Sequence, residues 1–367
     1  MAKTLMAVDA GTGSVRAVLF SLEGEQLGCV QQEWTHKEDP RYPGSMDFDW
    51  VHNWDLARNC IRGVIEQTGV DPHDIAAVST TCMREGIVLY DKDGQEIWAC
   101  ANVDARSDDE VAQLVHMNPE LEKQIYRESG QTYALGALPR LFWVKNKMPE
   151  VYEKTAMCTM FNDWLIYKMT GVFSSEPSNA CTTGIFDLKA RDWDDKIAAS
   201  IGLKTGIFPK ISECGTVVAK VGAQGAAETG LAEGTPVVAG GGDAQLGCVG
   251  VGVVDANQAA IFGGSFWQYE YNTDEAKTDE HCRVRVNCHS VPGIWQYEAL
   301  AFKPGMVMRW YRDAFCQYEK ELSKTTGRDP YDLMNEKAKD IPAGCYGMMC
   351  AFSDVMNYIS WRHASPM

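Results

Sequence analysis

The sequence predicts an α/β fold built as two domains. Short apolar strands alternate with amphipathic helices up to Gly247, as in an α/β domain. A faint internal repeat adds to this, because "LMAVDAGTGSVRAVLF" near the start is similar to "QAAIFGGSFWQYEY" at 258–271. The 367 residues also exceed one ordinary domain. We therefore expect domains at 1–254 and 255–367, with the boundary in "GVGVVDAN".

The elements follow from local patterns taken in chain order. The segments "LMAVD", "SVRAVLFS" and "QLGCVQQ" predict three strands separated by turns. Asp49 is an expected N-cap, Gly69 an expected stop, and the residues between them are apolar at helical spacing. "IAAVSTTC" predicts a buried strand, and "GIVLYDKDGQEIWAC" predicts a hairpin that turns at Asp93 and Gly94. "TPVVAG" predicts a buried strand that leads to Asp243.

Composition excludes several classes of protein. The net charge of −16 argues against a nucleic-acid partner. No apolar run reaches membrane-spanning length, and the N-terminal text has no signal-peptide features. The thirteen cysteines include no C-x-x-C pair, which favours a reducing cytoplasm. We interpret His281, Cys282, Cys288 and His289 as strand ends rather than a zinc site, since the close pair spacing is missing.

The segment "DAGTGSVR" predicts a tight turn between two strands with chemistry suited to phosphate oxygens. Its glycines allow a ligand to approach the backbone, its hydroxyl and N–H groups donate, and its arginine adds positive charge. The residues are Gly11, Thr12, Gly13, Ser14 and Arg16, while Asp9 at the strand end suits a hydrated Mg²⁺. On the motif alone, an ordinary β-hairpin is equally consistent. No Gly-Lys dipeptide occurs, so a P-loop is excluded, and no G-x-G-x-x-G follows the first strand.

A second motif, "GGGDAQLG" at 240–247, places one carboxylate behind three glycines. We interpret this stretch as the most deformable part of the chain, with Asp243 where a ligand comes close. The alternative is an acid at a strand end that caps a helix starting near Ala244.

The order of these motifs resembles the FGGY carbohydrate kinases. Supporting segments are "MREGIVLYD", "NVDAR", "PRLFWVKNKMP", "NDWLIYKMTG" and "SNACTTGIFDL". The resemblance implies an actin-like, ribonuclease-H-like ATPase fold of two lobes: a substrate domain carrying the catalytic base, and a nucleotide-binding domain. The family's adenine loop and C-terminal signature would follow Met367, so we expect the second lobe to be incomplete and this chain to be nearly inactive.

The resemblance also implies roles for particular residues, with ATP and Mg²⁺ as cofactors. Asp243 is the expected base that takes the proton of the substrate hydroxyl, and its glycines would keep side chains clear and absorb closure motion. Arg84 and Glu85 are expected to bind substrate hydroxyls as a mutual pair, although a surface ion pair is the alternative. Further expected contacts are Asn102 and Asp104 to substrate, with Arg106 orienting Asp104, and Gly264 and Ser265 to phosphate. We expect Trp143 and Trp164 in the core.

One departure from the family narrows the expected substrate. Asn102 stands where many relatives place a tryptophan against the sugar, which favours an unusual small substrate over xylulose or glycerol. The resemblance implies a short dihydroxy-dione that is phosphorylated at its terminal hydroxyl. Alternatives are a xylulose, ribulose or glycerol type of kinase, or a non-catalytic ligand-binding module. The expected partners are this small molecule and a nucleotide, without nucleic acid or membrane, and oligomer formation stays open.

Overall fold

The structure is a computed structural model that describes residues 3–134, 136–263, 267–301 and 304–349. These residues form four sheets. The strands are β1 (Thr4–Ala10), β2 (Ser14–Ser21), β3 (Gln26–Glu33), β4 (Ile75–Cys82), β5 (Ile87–Tyr90), β6 (Glu96–Cys100), β7 (Met157–Met160), β8 (Phe186–Asp187), β9 (Asp192–Trp193), β10 (Val217–Lys220), β11 (Pro236–Gly242), β12 (Ala259–Gly263), β13 (Trp267–Thr273), β14 (Arg285–Cys288) and β15 (Trp295–Ala301).

Helices connect and cover these sheets. They are α1 (Trp50–Thr68), α2 (Asp108–Met117), α3 (Leu121–Ser129), α4 (Ala137–Lys147), α5 (Pro149–Lys154), α6 (Phe161–Thr170), α7 (Pro177–Ala180), α8 (Asp195–Ser200), α9 (Ala223–Thr229), α10 (Asp243–Gly250), α11 (Pro304–Phe315), α12 (Gln317–Thr326) and α13 (Pro330–Ala338). Short 3₁₀ turns lie at Pro72–Asp74, Cys181–Thr183 and Cys345–Gly347. No helix in the described part of the chain is long and apolar enough to cross a membrane.

The first sheet positions the site. Its strand order is β10-β11-β4-β1-β2-β3, and β1, β4 and β11 run parallel to one another. Asp9 lies opposite Thr81, and Gly242 lies opposite Cys82, so the three parallel strands end at the same edge. Ligands of open α/β sheets bind at such carboxyl edges.

The predicted elements of the first domain are present. Helix α1 begins after Asp49, whose carboxylate accepts from the backbone N–H of His52, and ends at Gly69 with φ 64°. Together with the first sheet and α6 it encloses an apolar core that contains the buried Trp164. The predicted hairpin is β5–β6, with Gly94 at φ 76° in its turn, and it packs in a second core around the buried Trp143.

The second sheet inverts the usual burial pattern. Its strands are all antiparallel in the order β12-β13-β15-β14. Alternation puts Glu270 and Asn272 of β13 inside, while Trp267 and Tyr269 of the same strand stay exposed. The predicted second strand pair is therefore present as β12–β13, but its tip, including Gly264 and Ser265, lies outside the described residues.

Polar contacts join the second sheet to the first domain. The backbone N–H of Val286 donates to the carbonyl of Gly130 at 3.1 Å, and the Gln131 amide donates to the Val286 carbonyl at 2.9 Å. The indole N–H of Trp295 donates to the carbonyl of Leu188 at 2.8 Å. In contrast, α11 to α13 are mostly exposed, with Trp310, Phe315 and other large apolar side chains open to solvent.

Candidate active site

The site is built at the shared edge of the three parallel strands. Asp9 is near the end of β1, Arg84 follows β4, and Asp243 follows β11. The structure therefore brings together three predicted site residues that lie up to 234 positions apart in the sequence (243 − 9 = 234).

Asp243 is the first residue of α10, directly after strand β11. Its carboxylate accepts from the backbone N–H of Ala244 at 2.8 Å and lies 3.7 Å from the Arg84 Nε. The side chain is 46% exposed. Partial desolvation raises its pKa to about 6, against the opposing charge of Arg84. Asp243 is thus the first residue of the helix, whose N-cap is Gly242, and its role as a base stays a prediction.

The glycines before Asp243 serve close packing, so our interpretation of this stretch as deformable is wrong. Gly240, Gly241 and Gly242 belong to strand β11, and none has a positive φ. A Cβ at Gly240 would lie 1.5 Å from the Thr80 carbonyl oxygen, and one at Gly242 would lie 2.9 Å from the Arg84 Cδ. The absent side chains let neighbouring strands and Arg84 approach the backbone.

Arg84 and Glu85 are buried, but the expected mutual pair is wrong. The Arg84 Nη1 lies 2.5 Å from the Glu298 Oε2, and the Arg285 Nη1 lies 2.6 Å from the Glu85 Oε1. The surface-pair alternative is also wrong, because the two residues are only 4% and 6% exposed. Sequence reasoning missed both partners, which come from strands of the second sheet more than 190 residues later (285 − 85 = 200, 298 − 84 = 214).

The backbone of Glu85 is strained. Its φ of 69° lies in the left-handed region, which non-glycine residues rarely adopt. Such conformations cost on the order of 1–3 kcal/mol and cluster at functional sites, where surrounding contacts enforce them. The following Gly86 has no room for a side chain, because a Cβ there would lie 2.5 Å from the Phe161 ring.

Arg140 holds the substrate loops in place, a role that sequence reasoning did not assign. Its buried guanidinium donates to the carbonyl oxygens of Asn102 at 2.6 Å and Asp104 at 2.8 Å, and to that of Glu85. The signal available in the sequence was that Arg140 lies in "PRLFWVKNKMP", one of the segments that carry the family resemblance. One side chain therefore joins the Arg84–Glu85 turn to the loop that carries Asn102.

In the loop at 102–106, Asn102 contacts the predicted phosphate turn, whereas Asp104 is enclosed. The Asn102 amide donates to the Thr12 hydroxyl at 3.0 Å, which joins the expected substrate and phosphate regions. Asp104 is fully buried and accepts from the Arg106 Nε at 2.8 Å and the Met46 N–H at 2.6 Å. Arg106 donates to Asp104 as predicted, while the substrate contact of Asp104 stays a prediction, made by a carboxylate that these donors enclose.

The predicted phosphate turn is the loop between β1 and β2. Trp34 fixes it, donating from its indole to the Gly11 carbonyl at 3.0 Å and from its backbone to the Gly13 carbonyl at 3.1 Å. The Arg16 Nε donates to Asp9 at 2.9 Å. Burial raises the pKa of Asp9, while Arg16 opposes this shift. The loop follows β1, whose end lies at the same sheet edge as the end of β11.

The described residues suit a Mg²⁺ held through water better than one held directly. Among them, no group of three or more His, Cys, Asp or Glu side chains forms a metal site. Mg²⁺ commonly keeps several waters and uses one or two carboxylates beside nucleotide phosphates. Asp9, a hard oxygen donor at the cleft with one oxygen bonded to Arg16, fits this mode.

The hairpin, the three-strand edge and the carboxylate facing the cleft define a phosphotransferase site in an actin-like fold. The chain belongs to the FGGY family of carbohydrate kinases, and its residues 4–250 match the N-terminal domain of that family. The predicted fold and the kinase class are thereby confirmed.

Two individual proteins of known activity have the same residue as this chain at nearly half of the aligned positions. The chain is 47% identical to the autoinducer-2 kinase of Klebsiella pneumoniae, over 99% of this chain and 68% of that protein. It is 48% identical to the autoinducer-2 kinase of Yersinia enterocolitica, over 99% of this chain and 69% of that protein. The structure of a xylulose kinase from Rhodospirillum rubrum has the same fold, with a TM-score of 0.81 at 21% identity, covering 99% of this chain and 76% of that one.

Proposed function

We propose that this chain transfers a phosphoryl group from ATP to the terminal hydroxyl of autoinducer-2, 4,5-dihydroxypentane-2,3-dione, in quorum sensing. The substrate is supported by the two autoinducer-2 kinases that share nearly half of its residues. The observation that carries the reaction is Asp243, a carboxylate open to the cleft, whose raised pKa of about 6 is near physiological pH.

In this proposal Asp243 acts as the general base. A hydroxyl that attacks a phosphoryl group must lose its proton and lie in line with the leaving oxygen. At pH 7 a carboxyl group with a pKa of about 6 is mostly ionised, yet it is a stronger base than an ordinary aspartate. The bond from the Ala244 N–H fixes one carboxylate oxygen, so the other is directed to the substrate.

Arg84, Glu85 and Asn102 are the proposed substrate contacts. Arg84 and Glu85 are each held by a buried partner, so little side-chain entropy remains to be lost when a hydroxyl or carbonyl group binds. Asn102 is short and polar, and its amide donates to the Thr12 hydroxyl. Its place in the family segment, where many relatives have a tryptophan, supports a small substrate.

The phosphate turn is the proposed contact for the nucleotide. Thr12, Ser14 and Arg16 would donate to phosphate oxygens, and Asp9 would hold Mg²⁺ through water. Bound Mg²⁺ neutralises phosphate charge during transfer. Gly264 and Ser265 stay proposed phosphate contacts on the second hairpin.

The proposed reaction places the protein in the cytoplasm, where ATP is available and the charged product is retained. The described cysteines form no disulfide bonds with one another, which is consistent with a reducing compartment. Whether the protein forms oligomers is left to measurement.

A substrate panel tests the proposal. Initial rates with ATP and Mg²⁺ would be compared for the dihydroxy-dione, xylulose, ribulose and glycerol, with the Asp243→Asn variant as the blank. We expect the highest kcat/KM for the dihydroxy-dione. A higher value for xylulose, ribulose or glycerol would replace the proposed substrate. Binding of the dihydroxy-dione without turnover of any substrate would instead support the ligand-binding module.

A further inference from the structure

A buried cluster of charged groups lies behind the site, where the second sheet meets the turn after β4. Glu270 of β13 and Arg285 of β14 both lie directly opposite Glu298 of β15, so one face of the sheet presents these groups side by side. Arg84 and Glu85 enter the same cluster from the first domain. All five side chains are at most 6% exposed.

The charges in this cluster do not balance. Two guanidinium groups face three carboxyl groups: Arg84 and Arg285 against Glu85, Glu270 and Glu298. The surplus falls on Glu270, whose two oxygens are buried and accept no hydrogen bond from the described residues. Burial raises the pKa of Glu270 far above its usual range, and neighbouring Glu298 adds to this. Burial also acts on Glu298, but the two arginines outweigh it and lower its pKa to about 2.

We propose, resting on the proposed function, that Glu298 is a positioning residue of the kinase site, which holds Arg84 away from Asp243, with protonated Glu270 completing the cluster. Arg84 lies 2.5 Å from Glu298 but 3.7 Å from Asp243, so its charge is committed mainly to Glu298. A closer approach of Arg84 would stabilise ionised Asp243 and make it a weaker base. The second sheet thereby sets the reactivity of a base on the first.

The groups around the two affected side chains are all identified. Arg84 faces Glu298, Glu85, Asp243 and Glu270, and also the Cys248 thiol of α10. Asp243 faces Arg84, Glu85, Asp9 and the Cys82 thiol. Glu298 pairs with both Arg84 and Arg285 and accepts from the Asn287 amide, so Glu298→Asp is needed beside Glu298→Gln to separate the loss of charge from the loss of these contacts.

The test compares Glu298→Gln, Glu298→Asp and Glu270→Gln by the pH profile of kcat/KM. We expect Glu298→Gln to move the acid limb of the kcat/KM profile to lower pH by about one unit or more. The Arg84 guanidinium would then lie closer to Asp243 and lower the pKa of that carboxyl group. kcat above the limb should fall, since the base is weaker. Glu298→Asp keeps the charge and should restore the limb.

Glu270→Gln should leave the profile unchanged, because glutamine replaces a neutral carboxylic acid of the same shape. Asp279→Asn, which breaks a surface pair with Arg283, is the matched control.

A second readout needs no turnover. Carboxyl ¹³C NMR of labelled protein, assigned with the Asp243→Asn and Glu270→Gln variants, follows each acid as pH changes. The Glu270 carbon should stay protonated at pH 7, and the Asp243 titration should move down in Glu298→Gln. An unshifted Asp243 titration, or a Glu270 that is ionised at pH 7, would overturn the proposal. Absence of turnover in the wild-type protein would count against the proposed function and leave this measurement decisive.

Discussion

The Asp243 carboxylate is both partly exposed and partly desolvated. It is open enough for a substrate hydroxyl to reach it, yet the cleft walls desolvate it enough to raise its pKa. Arg84 opposes this shift only in part, because its nearer partner is Glu298. The surroundings of Asp243 therefore stabilise its ionised carboxylate only weakly. This is common for catalytic groups, whose reactivity is gained at the expense of stability.

Replacing Asp243 by asparagine should remove phosphoryl transfer and spare substrate binding. Asparagine has nearly the same shape but takes no proton, so the expected loss in kcat is roughly 10²–10⁴-fold. Steady-state kinetics measure the loss, and calorimetry with the dihydroxy-dione measures the binding. Near-normal turnover in the variant would remove Asp243 from the mechanism.

The same substitution should stabilise the protein above pH 6. The folded-state pKa of about 6 exceeds the ordinary aspartate pKa of 3.8, so ionisation of Asp243 opposes folding. Stability from this group is therefore present below pH 4 and is lost as pH rises through 6. The asparagine variant has no such loss, so its melting temperature should exceed that of the wild type at pH 8 and the gap should narrow toward pH 4.5. A gap that is constant with pH would contradict the shift.

At the scale of elements, strand β11 carries Asp243 to the cleft by packing closely beside β4. Position 240 has no space for even one carbon, because the Thr80 carbonyl is already there. The register of β11 against β4 shifts between Val238 and Gly241, so the glycines fall where the strand pairing is irregular. The local backbone thus depends on the absence of side chains.

Gly240→Ala should damage both the sheet and the activity. The new Cβ meets a backbone atom that cannot rotate away, so we expect a loss of more than about 2 kcal/mol in the free energy of unfolding, the range of severe overpacking. Gly250→Ala is the control, because its Cβ would have nothing within 4 Å and its φ is not positive. Equal denaturation midpoints for both variants would show that β11 adjusts freely.

Elements governed by local pattern were predictable, and contacts between distant strands were not. β2 and β4 have the predicted bounds, and α1 has the predicted cap and stop, because alternation, capping and glycine all act within a few residues. Glu298 and Arg285 gave no local signal, since their roles depend on strand register set by the whole sheet. The enclosure of Asp104 gave no local signal for the same reason, because it depends on the backbone N–H of Met46, which is distant in the sequence.

In the candidate site, too, residues marked by local sequence were predictable and contacts between distant strands were not. The positions of Asp9 and Asp243 at the sheet edge could be predicted, because Asp9 lies near the end of an apolar strand, Asp243 directly follows one, and a family motif marks each of them. The inverted second sheet could not, because alternation identifies a strand but does not say which face is buried. Its polar face is inside only because Arg84 and Gln131 of the first domain meet it there.

At the scale of the whole molecule, the second sheet is joined to the first domain by buried polar groups more than by apolar area. Glu298 and Arg285 pair across the junction, and Gln131 bonds to both the backbone and the side chains of β14. Removing one partner of such a pair leaves the other charge buried and unpaired, which typically costs about 3–5 kcal/mol. The boundary that the sequence predicts at residue 254 is thus a change of sheet, and the contacts across it make the two sides interdependent.

We therefore expect the two sides to unfold together. Hydrogen exchange read by mass spectrometry should show amides of β14 and β15 opening with nearly the same free energy as those of β5 in the first domain, because all three depend on the junction. Exposed helix α12 should exchange faster and serves as the internal control. Glu298→Gln should speed exchange in β14 and β15 and also in the turn at Arg84, since that turn loses its partner. Early, independent exchange of β14 and β15 in the wild type would show that the sheet opens alone, and the polar junction would then contribute little to stability.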